Sequence, residues 1–143
     1  MTDCQQDGVM DAPGEASDSG CGVTIIVCAS CRFPGQDDVS PRPGSLLSQA
    51  TRAQAAERGI SFRQVGCLGN CKRGLSAAML RDGCWTYVFG ELNTESAGDL
   101  IAGAELLASS SDGFMPFKAR PESLKRGLIA RVPTFANLED LAP

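Results

Sequence analysis

The chain has 143 residues, a hydrophobic share of 43% and a formal net charge of −4. This length fits one domain with a small core, and the acidic balance disfavours a nucleic-acid partner. The sequence contains no histidine, which excludes the usual histidine-based catalytic dyads and triads.

The start of the chain is predicted to be a disordered acidic tail at residues 1–22. Its first twenty residues contain five acidic residues and no basic one, among many Gly, Ser and Ala. They lack the basic-then-apolar order of a signal peptide, and no apolar run in the chain approaches the ~20 residues of a membrane span. We therefore expect a cytoplasmic protein without a membrane partner, in which seven cysteines indicate thiol or metal chemistry rather than disulfides.

Two strands joined by a helix follow the tail. Residues 23–27 are β-branched and apolar, which predicts a buried strand. After a proline-rich loop, Pro43 can open a helix whose apolar positions continue to about residue 57, and Gly59 can end it. A second strand is predicted at residues 60–65.

The middle of the chain predicts a loop, a hairpin and a last helix. Residues 66–74 are turn-rich and could form one helical turn that carries Cys67 and Cys71 on the same face. The apolar runs at 75–80 and 84–89 are joined through an Asp-Gly pair, a strong hairpin signal. A helix then follows, capped by Asn93 or Thr94 and reaching about residue 108.

This order of elements predicts an α/β fold with a thioredoxin-like mixed sheet: two parallel strands plus a hairpin, with flanking helices. The domain is expected to span residues 23–112. Residues 113–143 are predicted to form a C-terminal wrapping tail with a short helix bracketed by Pro121 and Gly127. Five of the 13 basic residues lie in this tail, and we interpret them as a solvated arm rather than a docking patch.

Two close cysteine pairs carry the strongest functional signal: Cys28 with Cys31 after the first strand, and Cys67 with Cys71 after the second. The carboxyl ends of neighbouring parallel strands meet at one edge of a sheet, so the four sulfurs are expected to converge. Four thiolates are a complete ligand set for zinc or for an iron–sulfur cluster. Gly69, between the second pair, would let backbone N–H groups turn toward the sulfurs.

Three uses of these thiols compete. A [2Fe–2S] cluster needs two thiolates on each iron, which two close pairs can supply. Structural zinc fits the sulfurs, although the spacing is not that of a zinc ribbon. Dithiol–disulfide exchange ranks third, because residues 33–35 break any helix that would lower the pKa of the first thiol, and no proline precedes the third strand.

The remaining cysteines are expected to play smaller parts. Cys4 lies in the acidic tail and is interpreted as incidental. Cys21 could be a loop thiol or a spare ligand, and Cys84, in a strand beside Trp85, is expected to be a simple buried side chain.

Several motifs together resemble a known family. They are Cys-x-x-Cys-Arg at 28–32, Arg-Pro-Gly at 42–44, Cys-Leu-x-x-Cys-Lys-Arg at 67–73, Trp-Thr-Tyr-Val-Phe-Gly at 85–90, Arg-Pro-Glu at 120–122 and Gly-Leu-Ile-Ala-Arg-Val-Pro at 127–133. Over about residues 23–133 the chain resembles the bacterial family of predicted metal-binding proteins called domain of unknown function 1636.

The resemblance implies more than the residues alone do. That family is similar in layout to thioredoxin-like [2Fe–2S] ferredoxins, which have a longer gap between their first two ligands than Cys28 and Cys31 have here. Its genes often lie near those for cobalamin synthesis and cobalt handling. The resemblance therefore implies a supporting role there, with a redox or cobalamin-pathway protein as partner and a homodimer formed through the sheet.

We predict a small cytosolic [2Fe–2S] ferredoxin-like protein that carries electrons and is not an enzyme acting on a substrate. Its predicted ligands are Cys28, Cys31, Cys67 and Cys71. The alternatives are a zinc or cobalt carrier or metal-stabilised interaction module, and a dithiol–disulfide oxidoreductase.

Overall fold

The computed structural model describes residues 22–33, 35 and 40–138. The predicted acidic tail, apart from Gly22, lies outside the described residues, as do Cys4 and Cys21. The elements follow in the order β1 (Val23–Cys28), α1 (Pro43–Arg58), β2 (Ser61–Val65), β3 (Leu75–Arg81), β4 (Thr86–Leu92), α2 (Ala97–Ala108), α3 (Glu122–Arg126) and β5 (Leu128–Val132). Short 3-10 turns lie at Cys71–Arg73 and Phe135–Asn137.

The strands form one mixed sheet in the order β2-β1-β3-β4-β5. Strands β1 and β2 are parallel, and the other neighbours are antiparallel. This confirms the predicted α/β fold with a thioredoxin-like mixed sheet and flanking helices. Because Cys28 pairs with Val65 at the carboxyl ends of β1 and β2, the chain leaves both strands at the same point of the sheet edge.

The core lies between one face of the sheet and the helices α1 and α2. Ile25, Met79 and Tyr87 occupy paired positions on that face and are buried. Helix α1 begins at Pro43, which suits a first helical position, and ends at Gly59 in the left-handed conformation. Both ends of α1 agree with the sequence prediction.

The β3–β4 hairpin turns at the predicted Asp-Gly pair, where Gly83 has φ +81°. Cys84 is buried, as expected, but it lies in the connection before β4 rather than in a strand. The difference arises because the Cys84 N–H donates to the Arg81 carbonyl at 3.0 Å and so closes the turn.

The C-terminal segment adds both a strand and core residues. The predicted short helix is α3, and β5 extends the sheet as its fifth strand. Leu124 and Met115 are buried in the core. The interpretation of the basic residues as solvated is wrong for Arg120, which is 8% exposed because its guanidinium lies over the Tyr87 ring and donates to the Met115 carbonyl.

No helix within the described residues is long and apolar enough to cross a membrane.

Candidate metal centre

The first cysteine pair lies where β1 ends. Cys28 is the last residue of β1 and Cys31 follows in the next turn; they are 1% and 5% exposed. The Ala29 N–H donates to the Val65 carbonyl at 2.9 Å, which carries the parallel ladder one residue past the strand. The two sulfurs are 2.9 Å apart. This separation is longer than the about 2.05 Å of a disulfide bond. It is shorter than the roughly 3.8 Å between two sulfurs that share one tetrahedral ion with metal–sulfur bonds of about 2.3 Å. The two sulfurs are therefore in contact without being bonded to each other.

The N-terminus of α1 packs against this turn. The Gly44 N–H donates to the Cys31 carbonyl at 2.9 Å, and the Arg42 side chain donates to the Ser30 carbonyl at 3.0 Å. A Cβ atom at Gly44 would lie 2.5 Å from the Cys28 carbonyl oxygen, so this approach requires glycine. From the residues after the first pair, we expect no helix beside the thiols. The structure instead places the N-terminus of α1 there. The positive end of its dipole favours a thiolate.

The second pair begins in the loop after β2. The Gly69 N–H donates to the Cys67 sulfur at 3.1 Å, and Gly69 has φ +77°. This confirms, for Cys67, that glycine turns a backbone N–H toward a sulfur. The expected helical turn carrying both cysteines is wrong, because the turn begins only at Cys71 and Cys67 is exposed ahead of it.

The two cysteine loops meet. The Cys28 sulfur lies 3.7 Å from the Gly66 carbonyl oxygen, and the Ser30 hydroxyl donates to the same oxygen. A hydrogen bond from the Leu68 backbone also acts on the Cys28 thiol. The structure thus brings Cys28 and Cys31 to the loop that carries Cys67. No three described side chains of the metal-binding types form a ligand group, and the side chain of Cys71 lies outside the described set.

The two buried thiols differ in acidity. Burial raises the pKa of the Cys28 thiol, but hydrogen bonds from Cys31, Ser30 and Leu68 outweigh that effect and hold the pKa below its ordinary value. Burial, together with donation to Cys28 and the charge of the Cys28 thiolate, raises the pKa of Cys31 to about 12. Cys28 is therefore the more acidic thiol of the pair, and Cys31 keeps its proton and donates it to the Cys28 sulfur.

This asymmetry predicts the titration of the metal-free, reduced protein. We expect Cys28 to ionise below the usual thiol pKa of about 8.5, measured as the thiolate ultraviolet absorbance lost in Cys28→Ala. In Cys31→Ala the midpoint of Cys28 should rise, because the donor to its thiolate is gone. A Cys28 midpoint at or above the usual value, or no response to Cys31→Ala, would contradict the assigned direction.

A buried serine is a part of the site that sequence reasoning missed. Ser76, on β3, is fully buried, and its backbone and side chain act on Cys31 to lower the pKa of that thiol, in opposition to burial. Its hydroxyl also accepts from the Asn70 amide at 2.9 Å, which ties the second loop to β3. The signal in the sequence that could have identified it is a polar residue directly before the apolar residues 77–80 of β3.

Comparison with known proteins places the chain in a family. The model of the family described as "Protein of unknown function (DUF1636)" matches residues 25–134. No protein with a curated description matches the sequence.

Among solved structures, a thioredoxin-like [2Fe–2S] ferredoxin from Aquifex aeolicus is similar, with 15% identity and a TM-score of 0.49, over 76% of this chain and 91% of that one. A wild-type structure of the thioredoxin-like [2Fe–2S] ferredoxin from the same organism shows 18% identity and a TM-score of 0.46, over 76% and 96% of the two chains. The family match covers most of the sequence and confirms the resemblance read from the motifs: the chain belongs to the DUF1636 family.

Proposed function

We propose that this protein is a small ferredoxin-like electron carrier that holds a [2Fe–2S] cluster through Cys28, Cys31, Cys67 and Cys71. The observation that supports it is the loop after β2, whose successive residues hydrogen-bond to sulfurs of both pairs: Leu68 to Cys28 and Gly69 to Cys67. Consecutive backbone N–H groups that converge on sulfur stabilise the anionic thiolates that a metal requires.

The donor set fits this cofactor. Every predicted ligand is a thiol, and the chain has no histidine to favour another metal. When bound, such a cluster supplies one-electron transfer, at a potential set by charge, solvent exposure and hydrogen bonds to sulfur. The chain's own contribution is to bury Cys28 and Cys31 and to leave Cys67 exposed, which gives electrons a route to the surface.

The surface formed by the residues after Cys71 suits a protein partner. Lys72 and Arg73 are exposed and line a cavity of about 390 Å³ together with Phe33 and one acidic residue, Glu91, so that two cations face one carboxylate there. Their charges would offset the anionic site and favour an acidic partner surface. We further propose, from the family resemblance, that the electrons serve cobalamin or cobalt metabolism; a redox or cobalamin-pathway partner and a homodimer are part of this proposal.

Metal analysis of anaerobically purified protein tests the proposal. We expect a brown sample with about two irons and two sulfides per chain and the visible absorption of a [2Fe–2S] centre. A colourless sample with one zinc, or a cobalt-loaded one, that gives up its metal reversibly to a chelator would contradict the electron-carrier proposal. That result would identify a metal carrier or a metal-stabilised interaction module.

A dithiol–disulfide oxidoreductase is the second candidate, favoured by the unequal thiols. The Cys28 thiolate would attack a substrate disulfide and expel one substrate thiol, and Cys31 would then displace the second thiol and leave a Cys28–Cys31 disulfide. The burial of both residues opposes this reading. Metal-free protein that reduces insulin with dithiothreitol, with activity lost in Cys28→Ala but kept in Cys84→Ala, would favour this function over the first.

A further inference from the structure

A second cavity lies at the end of the sheet away from the cysteines. Strand β3 runs antiparallel to β1 and begins at the edge where the cysteine loops meet. Strand β4 runs antiparallel to β3, so β4 begins at the opposite end of the sheet. There the C-terminal segment lines an open cavity of about 490 Å³ beside Tyr87. Its wall combines three cations with apolar and aromatic side chains: Arg120, Lys125, Arg131, Phe114, Met115 and Phe117.

Arg120 is a buried cation with an unused donor. The residue is 8% exposed, and one guanidinium nitrogen donates to the Met115 carbonyl at 2.6 Å. The guanidinium also lies 5.5 Å from the Tyr87 ring and 5.3 Å from the Phe117 ring. Its Nε is buried and has no hydrogen-bond partner. An unsatisfied buried charged donor is costly, so an acceptor bound to the Arg120 guanidinium would stabilise the protein.

Among the described residues, the neighbouring cations have no ion-pair partner either. Arg131 lies over the stacked rings of Trp85 and Phe114, at 4.9 and 4.7 Å. Lys125 lies 4.9 Å from the Phe117 ring. No Asp or Glu lines this cavity in the described part of the chain, where the ion pairs are Arg58–Glu105 and Arg126–Glu122. Burial lowers the pKa of Arg120; Tyr87 opposes this shift, and the charge of Arg131 adds to it.

We propose that this cavity binds a small organic molecule bearing an oxyanion group, a phosphate or a carboxylate. The oxyanion accepts from the guanidinium groups of Arg120 and Arg131, which both line the cavity and whose planar forks match phosphate and carboxylate. The apolar body of the ligand lies against Phe114, Met115 and Phe117. A volume of about 490 Å³ is in the range of small-molecule sites. This proposal is independent of the cluster, so metal-free and loaded protein should bind alike.

The test uses phenyl phosphate, benzoate, inorganic phosphate and neutral benzyl alcohol as probes. Calorimetry gives the affinities, and the fluorescence of Trp85, the one tryptophan of the chain, reports on the cavity through Phe114 and Arg131. We expect saturable binding of at least one organic anion and none of benzyl alcohol. The organic anion with the higher affinity shows whether the site prefers a phosphate or a carboxylate. If inorganic phosphate binds as tightly as phenyl phosphate, the apolar side chains of the cavity do not contribute to binding, and that part of the proposal is wrong.

Variants then assign the residues. We expect Arg131→Gln, at an exposed position, to weaken binding about ten-fold through the loss of one charge-assisted contact. Arg120→Gln should weaken it further, with circular dichroism used to verify the fold. The matched control is Arg52→Gln, since Arg52 is also exposed and lies 4.9 Å from the ring of Phe62. No saturable binding of either organic anion, or equal losses in Arg52→Gln and Arg131→Gln, would overturn the proposal.

Discussion

Replacing Cys67 or Cys71 by alanine is expected to reduce the iron content of anaerobically purified protein from about two atoms per chain to near zero. Each iron needs two thiolates, and the chain has no histidine that could replace a missing sulfur. Alanine is the sharper substitution, because a serine oxygen could still bind iron. Iron and sulfide analysis with the visible spectrum measures the loss.

Cys84→Ala is the matched control for these variants. Cys84 is 3% exposed, and its sulfur lies 3.3 Å from the Arg81 guanidinium, at the opposite end of β3 from the cysteine loops. Its removal should leave the iron content unchanged. If Cys71→Ala keeps its full iron content, Cys71 is not a ligand. If iron is lost only when Cys28 or Cys31 is replaced, the first pair alone binds the metal.

The sheet and its order could be predicted because the signals are local. The β-branched run of β1 has no competing helical periodicity, and the Asp-Gly pair fixes the β3–β4 turn through the positive φ of Gly83. The meeting of the two cysteine loops follows from one further rule, that adjacent parallel strands end at the same edge. Sequence alone therefore predicted which loops meet.

What the sequence did not predict depends on contacts between distant segments. The burial of Arg120 is stabilised by the ring of Tyr87, more than thirty positions earlier in the chain. The contacts of Ser76 with Cys31 connect β3 to the turn after β1, which are far apart in the sequence. In both cases the residue type predicts exposure, and the tertiary partner reverses that preference.

The close approach of α1 to the first cysteine pair is another contact that the sequence did not predict. The substitution Gly44→Ala tests it. A Cβ atom there would lie 2.5 Å from the Cys28 carbonyl oxygen and 2.8 Å from the Cys31 nitrogen. Backbone atoms cannot rotate away, so either the helix or the cysteine turn must move. A helix shift would also displace Leu47, which is fully buried in the core. We expect a loss of about 3 kcal/mol in the free energy of unfolding, measured by urea denaturation of metal-free protein.

Gly98→Ala separates this effect from helix propensity. Gly98 is the second residue of α2, as Gly44 is of α1, but a Cβ there would meet only a Gln54 side-chain oxygen at 3.8 Å. We expect Gly98→Ala to stabilise the protein by about 0.5 kcal/mol, because alanine is the better helix former. Equal changes in the two variants would show that α1 does not press on the cysteine turn. If it does, Gly44→Ala should also raise the pKa of Cys28, because a displaced turn loses the hydrogen bonds that stabilise the thiolate.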